Sequence, residues 1–426
     1  MLNALVPASL PESVAKQYKD QFVTWPNIPI GKQLPQLFAS LQALRSAIKS
    51  LMDFQFTSVH LKPLFELCTT LRLKCLGIVV DKTSQAIVNL GSRETWKIDV
   101  GSKPAKTILP DFYETEITEA LPCIKEILSF SSYPGELDLF TNERIRQMIL
   151  DLFIVVLMSF KQCYDQLLQL KGDQRRPNRL LLQNTDDSSS ISSMNEDKNM
   201  SKLDQGNPTT GFTESTGRKL LMTICNVEYV TKFSLNLLAK RLSDNRVKYC
   251  DSIIEKCRQK FENFCQTLLK HYLTMKTSTL HSLVETINYD YLPEDDDVSY
   301  FIKELITCVV FIQAELCLFA PQLLHKVLTS TVEASFDKLV KILTDIKLPT
   351  KDHATQVVID LTALEEAFQS FLSIETRRIL NSIRARLMDK LDKEKFQICM
   401  QTFRQSLHLA IESLQNGIDE MNTSNV

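Results

Sequence analysis

Cys250, Cys257 and Cys265 stand seven and eight residues apart, with His271 six residues further on. Cysteine and histidine are the usual ligands of structural zinc, but zinc sites pair them as C-x2-C or H-x3-H. On a helix, seven residues separate two side chains by roughly 10 Å along the axis, too far for one ion. Core packing suits these cysteines better, because a free thiol behaves as a small hydrophobe. Glu294-Asp295-Asp296-Asp297 is a second candidate. An all-α enzyme of the isoprenoid class holds magnesium on D-D-x-x-D, and this run resembles that motif in composition alone. It follows Leu292-Pro293 and precedes a strongly apolar segment, so its carboxylates fit the positive end of a helix dipole. The six histidines are isolated, and no nucleophile motif accompanies them. No catalytic, cofactor-binding or metal-ligating residue is therefore assigned, and no cofactor is expected.

Two basic clusters could meet an acidic lipid surface or an acidic partner. Lys171, Arg175, Arg176 and Arg179 form one; Arg377, Arg378, Arg384, Arg386 and Lys390 share one expected helix. A basic residue at an anionic membrane contributes about 1 kcal/mol; the plainer reading is a solvated helix face. Ser188–Ser190, Ser192 and Ser193 follow Asp186-Asp187, a setting that suits acid-directed kinases; a plain linker is the alternative. The whole chain, with 49 basic and 51 acidic residues and net charge −2, has no electrostatic drive toward nucleic acid. Glycine is scarce, 10 in 426, which argues against a sheet-rich fold and against phosphate-cradling loops. Neither G-x-G-x-x-G nor G-x-x-x-x-G-K-[ST] occurs.

The elements that must position these residues are helices. Val247, Cys250, Ile254, Cys257, Phe261, Phe264 and Leu268 recur at alternating spacings of three and four. So do Leu61, Leu64, Cys68, Leu71, Cys75 and Ile78, and again Ile302, Leu305, Val309, Ile312, Leu316 and Phe319. This spacing lines one face of an α-helix with side chains that must leave water. A capping box at Ser9-Leu10-Pro11-Glu12 predicts a short helix to about Phe22. Further helices are predicted over 32–55, 59–90, 113–130, 142–171, 218–241, 244–276, 298–320, 322–347, 353–390 and 394–421. The alternation of Trp96, Ile98 and Val100 allows a short extended piece, Tyr133-Pro134-Gly135 marks a turn, and Pro321 marks a bend. Val357, Leu361, Leu364, Phe368 and Phe371 make one late stripe; Phe396, Met400, Phe403, Leu407, Ala410, Leu414 and Ile418 make another. Between Gln183 and Gly217 the chain is Ser, Thr, Asn and Asp without apolar period, so disorder is expected. The expected organisation is N-terminal helical bundles over 1–172, a disordered polar insert over 173–217 and C-terminal helical bundles over 218–426. The fold class is all-α, an elongated rod of consecutive antiparallel bundles.

The N-terminus has no signal-peptide pattern. The most apolar windows are Leu152–Met158, too short to span a bilayer, and Phe301–Ala320, interrupted by Lys303, Glu304, Gln313 and Glu315. Eleven cysteines without framework spacing indicate a reducing compartment. A soluble cytosolic chain is expected.

Trp96-Lys97-Ile98-Asp99, followed by Leu109-Pro110 and Phe112, resembles a block of the exocyst complex component 2 family, the Ral-binding subunits of the exocyst. The likeness continues at Leu220-Leu221-Met222 through Asn226 and Tyr229. It returns at Tyr300, Lys303-Glu304, Gln313-Ala314-Glu315, Leu324, Val327-Leu328 and Val332-Glu333-Ala334, and covers roughly residues 60–420. The resemblance implies a non-catalytic subunit that tethers post-Golgi secretory vesicles to the plasma membrane before fusion. Other exocyst subunits would be its partners, with peripheral contact to vesicle or plasma membrane through the complex. The family's immunoglobulin-like Ral-binding domain and long coiled coil are not visible in this chain, so Ral GTPase binding is not expected. Periodicity by itself also fits a subunit of another vesicle-tethering complex, a general α-helical adaptor, or an all-α enzyme or GTPase regulator acting through a lone arginine.

Overall fold

The computed structural model describes residues 30–99, 101, 105–168, 208–289, 292, 297–345 and 350–423. The capping box at Ser9–Glu12, the basic cluster 171–179, the serine run 188–193 and the acidic residues 294–296 lie outside the described residues. The three-four spacing becomes helix except at Val247 and Phe371, which lie just outside helix ends, and the chain is all-α. In order these are α1 (Ile30–Asp53), α2 (Ser58–Asn89), α3 (Leu109–Leu128), α4 (Glu143–Leu167), α5 (Pro208–Tyr229), α6 (Leu235–Asp244) and α7 (Cys250–Glu285). Then follow α8 (Tyr300–Phe319), α9 (Leu324–Asp345), α10 (Lys351–Phe368), α11 (Ile374–Leu387) and α12 (Lys393–Thr423). Among the described residues there is no strand; the alternating stretch makes one isolated antiparallel bridge, Asp99 to Lys106.

The helices group into two compact units. The first holds the described residues up to Leu168 together with Asn226–Cys265; the second holds 208–225 and the described residues from Gln266. Residues 226–265 thus pack with the N-terminal helices, whereas the sequence places them in the C-terminal half. The reason is apolar: Val230, Leu235, Leu238, Leu242, Ile253 and Phe261 are buried, and α6 packs against α3. At the centre of the first unit α2 packs against α1, α3 and α4. α4 is long and apolar enough to cross a membrane by length and composition. Its apolar face is core instead: Phe153, Leu157, Phe160 and Tyr164 are fully buried, with Phe160 edge-on to Tyr164 at 5.1 Å.

Three boundaries differ from expectation. α5 starts at Pro208, so the last ten residues of the expected polar insert are helical; proline suits the first helical turn, where its missing N–H is not needed. α5 then runs through one π turn, Val230–Ser234, into α6. A π turn disturbs the regular ladder, and Arg258 Nη1 donates to the Thr231 carbonyl there at 3.0 Å. The single helix expected over 353–390 is three pieces: α10, α11 and a 3-10 turn at Met388–Lys390 that carries Lys390 off the helix. Ser373 starts the new helix by accepting from the Thr376 amide at 3.1 Å, and Glu333 of α9 accepts from the Ser373 hydroxyl at 3.3 Å and from the Ser373 amide. A side chain forty residues away cannot be read from the local period. Of the late stripe on α12, Met400 and Phe403 are buried, Leu407 is half-buried and Ala410 exposed.

In the second unit α10 is buried on nearly every side, Asp360 included. Its Oδ1 accepts from the Ser299 amide at 2.9 Å and from Gln356 Nε2 at 3.2 Å, which ties α10 to the start of α8. Burial pushes the Asp360 carboxyl up to about 6, with these hydrogen bonds opposing the rise. Because the folded value lies above the usual 3.8, this group favours the fold fully below pH ~4 and loses that contribution as pH rises through 6. Asp360→Asn, which keeps the acceptor and removes the charge, is expected to raise stability at pH 7.5 by about 2–3 kcal/mol. The gain should vanish near pH 4. Urea unfolding at the two pH values checks both size and sign.

Candidate functional site

Arg45 and Arg72 lie on apolar stripes. Arg45 is four residues after Leu41 and three before Ile48; Arg72 is four after Cys68 and three before Cys75. Both are almost fully buried, at 2% and 1% exposure. They converge on the C-terminus of α3, whose last carbonyls have no partner within the helix. Arg72 donates from Nε to Ile127 O at 2.8 Å, from Nη2 to Leu128 O at 3.2 Å and from Nη1 to Leu137 O at 2.7 Å. Arg45 donates from Nη2 to Ser129 O at 2.8 Å and from Nη1 to Glu126 O at 3.4 Å. The partial negative charge of a helix C-terminus favours cations there. Glu136 supplies the counter-charge, accepting from Arg45 Nε at 2.9 Å and lying 3.8 Å from Arg72 Nη1. Burial holds the Arg72 guanidinium below its ordinary range, and Glu136 opposes the shift. Arg72 nonetheless keeps its charge, as guanidinium does in proteins.

Glu136 reaches this position through a tight turn. Pro134 and Gly135 occupy its centre, Gly135 has φ +81°, and the Glu136 amide donates to Tyr133 O at 3.2 Å. That is a type II turn, where the third residue must take positive φ and glycine does so freely. Glu136 Oε2 also accepts from the Ser132 amide at 2.9 Å. The α3–α4 loop is therefore fixed from inside by charge.

Its outer side forms a groove with the α6–α7 turn. The groove has a volume of about 710 Å³ and is lined among others by Phe130, Asp138, Lys240, Arg246, Lys248 and Tyr249. Phe130 is 39% exposed and Tyr249 50%. Lys248 Nζ pairs with Asp138 at 2.5 Å and lies 5.8 Å from the centre of the Phe130 ring. Burial works against the Asp138 carboxylate, but bonds from Lys248 and the Phe140 amide outweigh it and hold the carboxyl below the usual range. Arg146 stacks over the Tyr249 ring at 5.1 Å. Arg246 and Tyr249 take φ of +69° and +62°. Such left-handed backbone is uncommon for non-glycine residues, costs roughly 1–3 kcal/mol each, and clusters at functional sites.

The residues singled out by sequence fall elsewhere. Cys250 and Cys257 are buried, Cys265 is half-buried and His271 exposed. Burial pushes the Cys257 thiol up to about 12 and the Cys250 thiol up to about 11, and Cys250 Sγ donates to Val247 O at 3.2 Å. No three metal-ligating side chains converge among the described residues. Asp297 pairs with Lys303 at 2.5 Å ahead of α8. On the basic helix, Arg377 donates to Gln369 O, Arg378 lies 3.5 Å from Glu375, and Arg384 pairs with Glu365.

The motif residues are brought together, as structural staples. Asn226 Oδ1 accepts from the Thr107 amide at 2.7 Å; its Nδ2 donates to Thr107 Oγ1 at 2.8 Å and to the Tyr164 hydroxyl at 2.5 Å. Lys106 lies over the Tyr229 ring at 4.2 Å. Glu315 accepts from the Tyr272 hydroxyl at 2.9 Å and pairs with Lys276 at 2.6 Å. Glu333 braces Ser373, the residue that caps α11.

The family model described as Exocyst complex component Sec5 matches residues 7–420. The chain belongs to this family of exocyst components. Exocyst complex component 2 of Caenorhabditis elegans is 37% identical over 434 aligned residues, which take in 100% of this chain and 46% of that protein. Exocyst complex component 2 of Mus musculus is 22% identical over 97% of this chain and 43% of its own length. The Homo sapiens protein of the same name is 22% identical over 98% and 44%. The chain thus spans less than half the length of these exocyst relatives. No solved structure matches it. All the motif staples described above lie inside the span matched to the exocyst family.

Glu136 is the carboxylate on which both buried guanidiniums depend. Removing one partner of a buried ion pair costs about 3–5 kcal/mol. Glu136→Ala is expected to lower the unfolding free energy by that amount in urea titration, and Glu136→Gln by less. An unchanged midpoint would mean that Glu126, whose Oε1 lies 3.1 Å from Arg45 Nη1, alone balances the charge.

Proposed function

We propose that this chain is a non-catalytic part of the exocyst, acting in the tethering of post-Golgi secretory vesicles to the plasma membrane before fusion. The observation that supports it is the family match over residues 7–420. Relatives named Exocyst complex component 2 add to it. Its work is geometric. Two helical units, each fixed by buried charge or buried apolar stripes, hold exposed faces in set positions for other exocyst subunits. No enzyme chemistry and no cofactor belong to this reading, and it places the chain in the cytoplasm, recruited peripherally to secretory vesicles and the plasma membrane through the complex.

Contacts made by apolar helix faces resist salt, because only exposed charge pairs are strongly screened. A tagged copy in the cells that naturally make the protein is expected to recover other exocyst subunits by gentle affinity capture, and to retain them at 0.3 M salt. Its depletion should leave secretory vesicles undocked. Mass spectrometry that finds subunits of a different tether would move the assignment to that complex; recovery of no tether at all would remove it.

A further inference from the structure

The groove between the α3–α4 loop and the α6–α7 turn has the features of a recognition surface. Aromatic residues and arginine are enriched where proteins bind one another, and lysine and arginine supply steering charge. Here Phe130 and Tyr249 present exposed rings, and Lys240, Arg246 and Lys248 are exposed cations. Lys248 is neutralised by Asp138. Lys240 and Arg246 have no ion pair among the described residues, and Asp251 is the other carboxylate that lines the groove. The surplus charge is therefore positive and sits beside rings.

The second observation is strain. Arg246 and Tyr249, three residues apart, both hold left-handed backbone. Asparagine or glycine would adopt it more cheaply. The turn is held by hydrogen bonds, the Val247 amide to Leu242 O at 3.1 Å and the Arg246 amide to Ser243 O at 3.1 Å. The opposite wall is fixed by Arg45, Arg72 and Glu136. Both walls are thus set before any partner arrives, which lowers the cost of binding.

We propose that this groove binds an acidic, extended peptide segment of a partner protein. Carboxylates of that segment pair with Lys240 and Arg246, and an aromatic or branched aliphatic side chain packs against Phe130 and Tyr249. This does not depend on the exocyst assignment, since it rests on the groove alone. The contacts are few and partly exposed, so affinity falls in the micromolar range and weakens as salt screens the pairs.

The test uses the purified full chain and three fluorescent twelve-residue probes read by anisotropy. One is rich in Asp and Glu around a central Phe, one replaces every acid by Lys, and one replaces every acid by Gln. The acidic probe is expected to bind, the lysine probe not to bind, and the glutamine probe to bind at least about tenfold more weakly. Lys240→Glu with Arg246→Glu should weaken the acidic probe by about tenfold or more, and Phe130→Ala should also weaken it. Arg386→Glu with Lys390→Glu, on exposed positions in the other unit, should leave it unchanged. If the double variant unfolds, Lys240→Glu alone, on the exposed side of α6, carries the same comparison. Equal binding of acidic and glutamine probes, no binding of either, or an acidic affinity indifferent to Lys240 and Arg246 would overturn the proposal. So would binding to vesicles of 30% phosphatidylserine that requires Lys240 and Arg246 while the acidic probe does not bind.

Discussion

Two guanidiniums removed from water must be matched by acceptors and charge on all sides, and much of the first unit follows from where Arg45 and Arg72 find them. A helix that ends inside a protein leaves carbonyls without partners. α3 ends that way, and its last carbonyls are taken by side chains from α1 and α2. The arrangement couples three helices at one point. It also requires Glu136, because two buried positive charges without a carboxylate would be prohibitive. The type II turn at Pro134-Gly135 exists in a place that delivers that carboxylate. The outer face of the same loop is then held still enough to form one wall of a groove.

The second unit uses smaller versions of the same device. Glu333 on α9 begins α11 by accepting from Ser373, and Asp360 on α10 holds the Ser299 amide just before α8. Each places a polar side chain of one helix at the terminus of another. Heptad packing alone lets helices slide along their stripes; a hydrogen bond at a helix end fixes the register. That fixation suits the tethering role proposed above.

The helical class and most helix cores were legible, because the three-four spacing is dictated by the period of the helix. The turn at Tyr133-Pro134-Gly135 was equally legible, since only glycine readily takes the required φ there. Arg45 and Arg72 were not. A cation on an apolar stripe reads as an interruption until the carbonyls it meets, at residues 127–129 and 137, are known. The break at Gln369–Ser373 was missed for a related reason, since the Glu333 that supports it is forty residues away. The groove was invisible in the sequence. Phe130, Lys240 and Tyr249 belong to separate segments, and no spacing joins them. The cysteine row drew attention through residue type, and its buried members pack in the core.

The central claim is that Arg72 and Arg45 fix the α3–α4 loop, and native-state hydrogen exchange of Arg72→Lys tests it most directly. Lysine keeps the charge but cannot donate to Ile127, Leu128 and Leu137 in one fork. The account predicts faster exchange concentrated in the amides of residues 129–140, with the interiors of α3 and α4 protected as in the parent chain. Unchanged exchange in that loop, or a uniform increase across the whole unit, would contradict it.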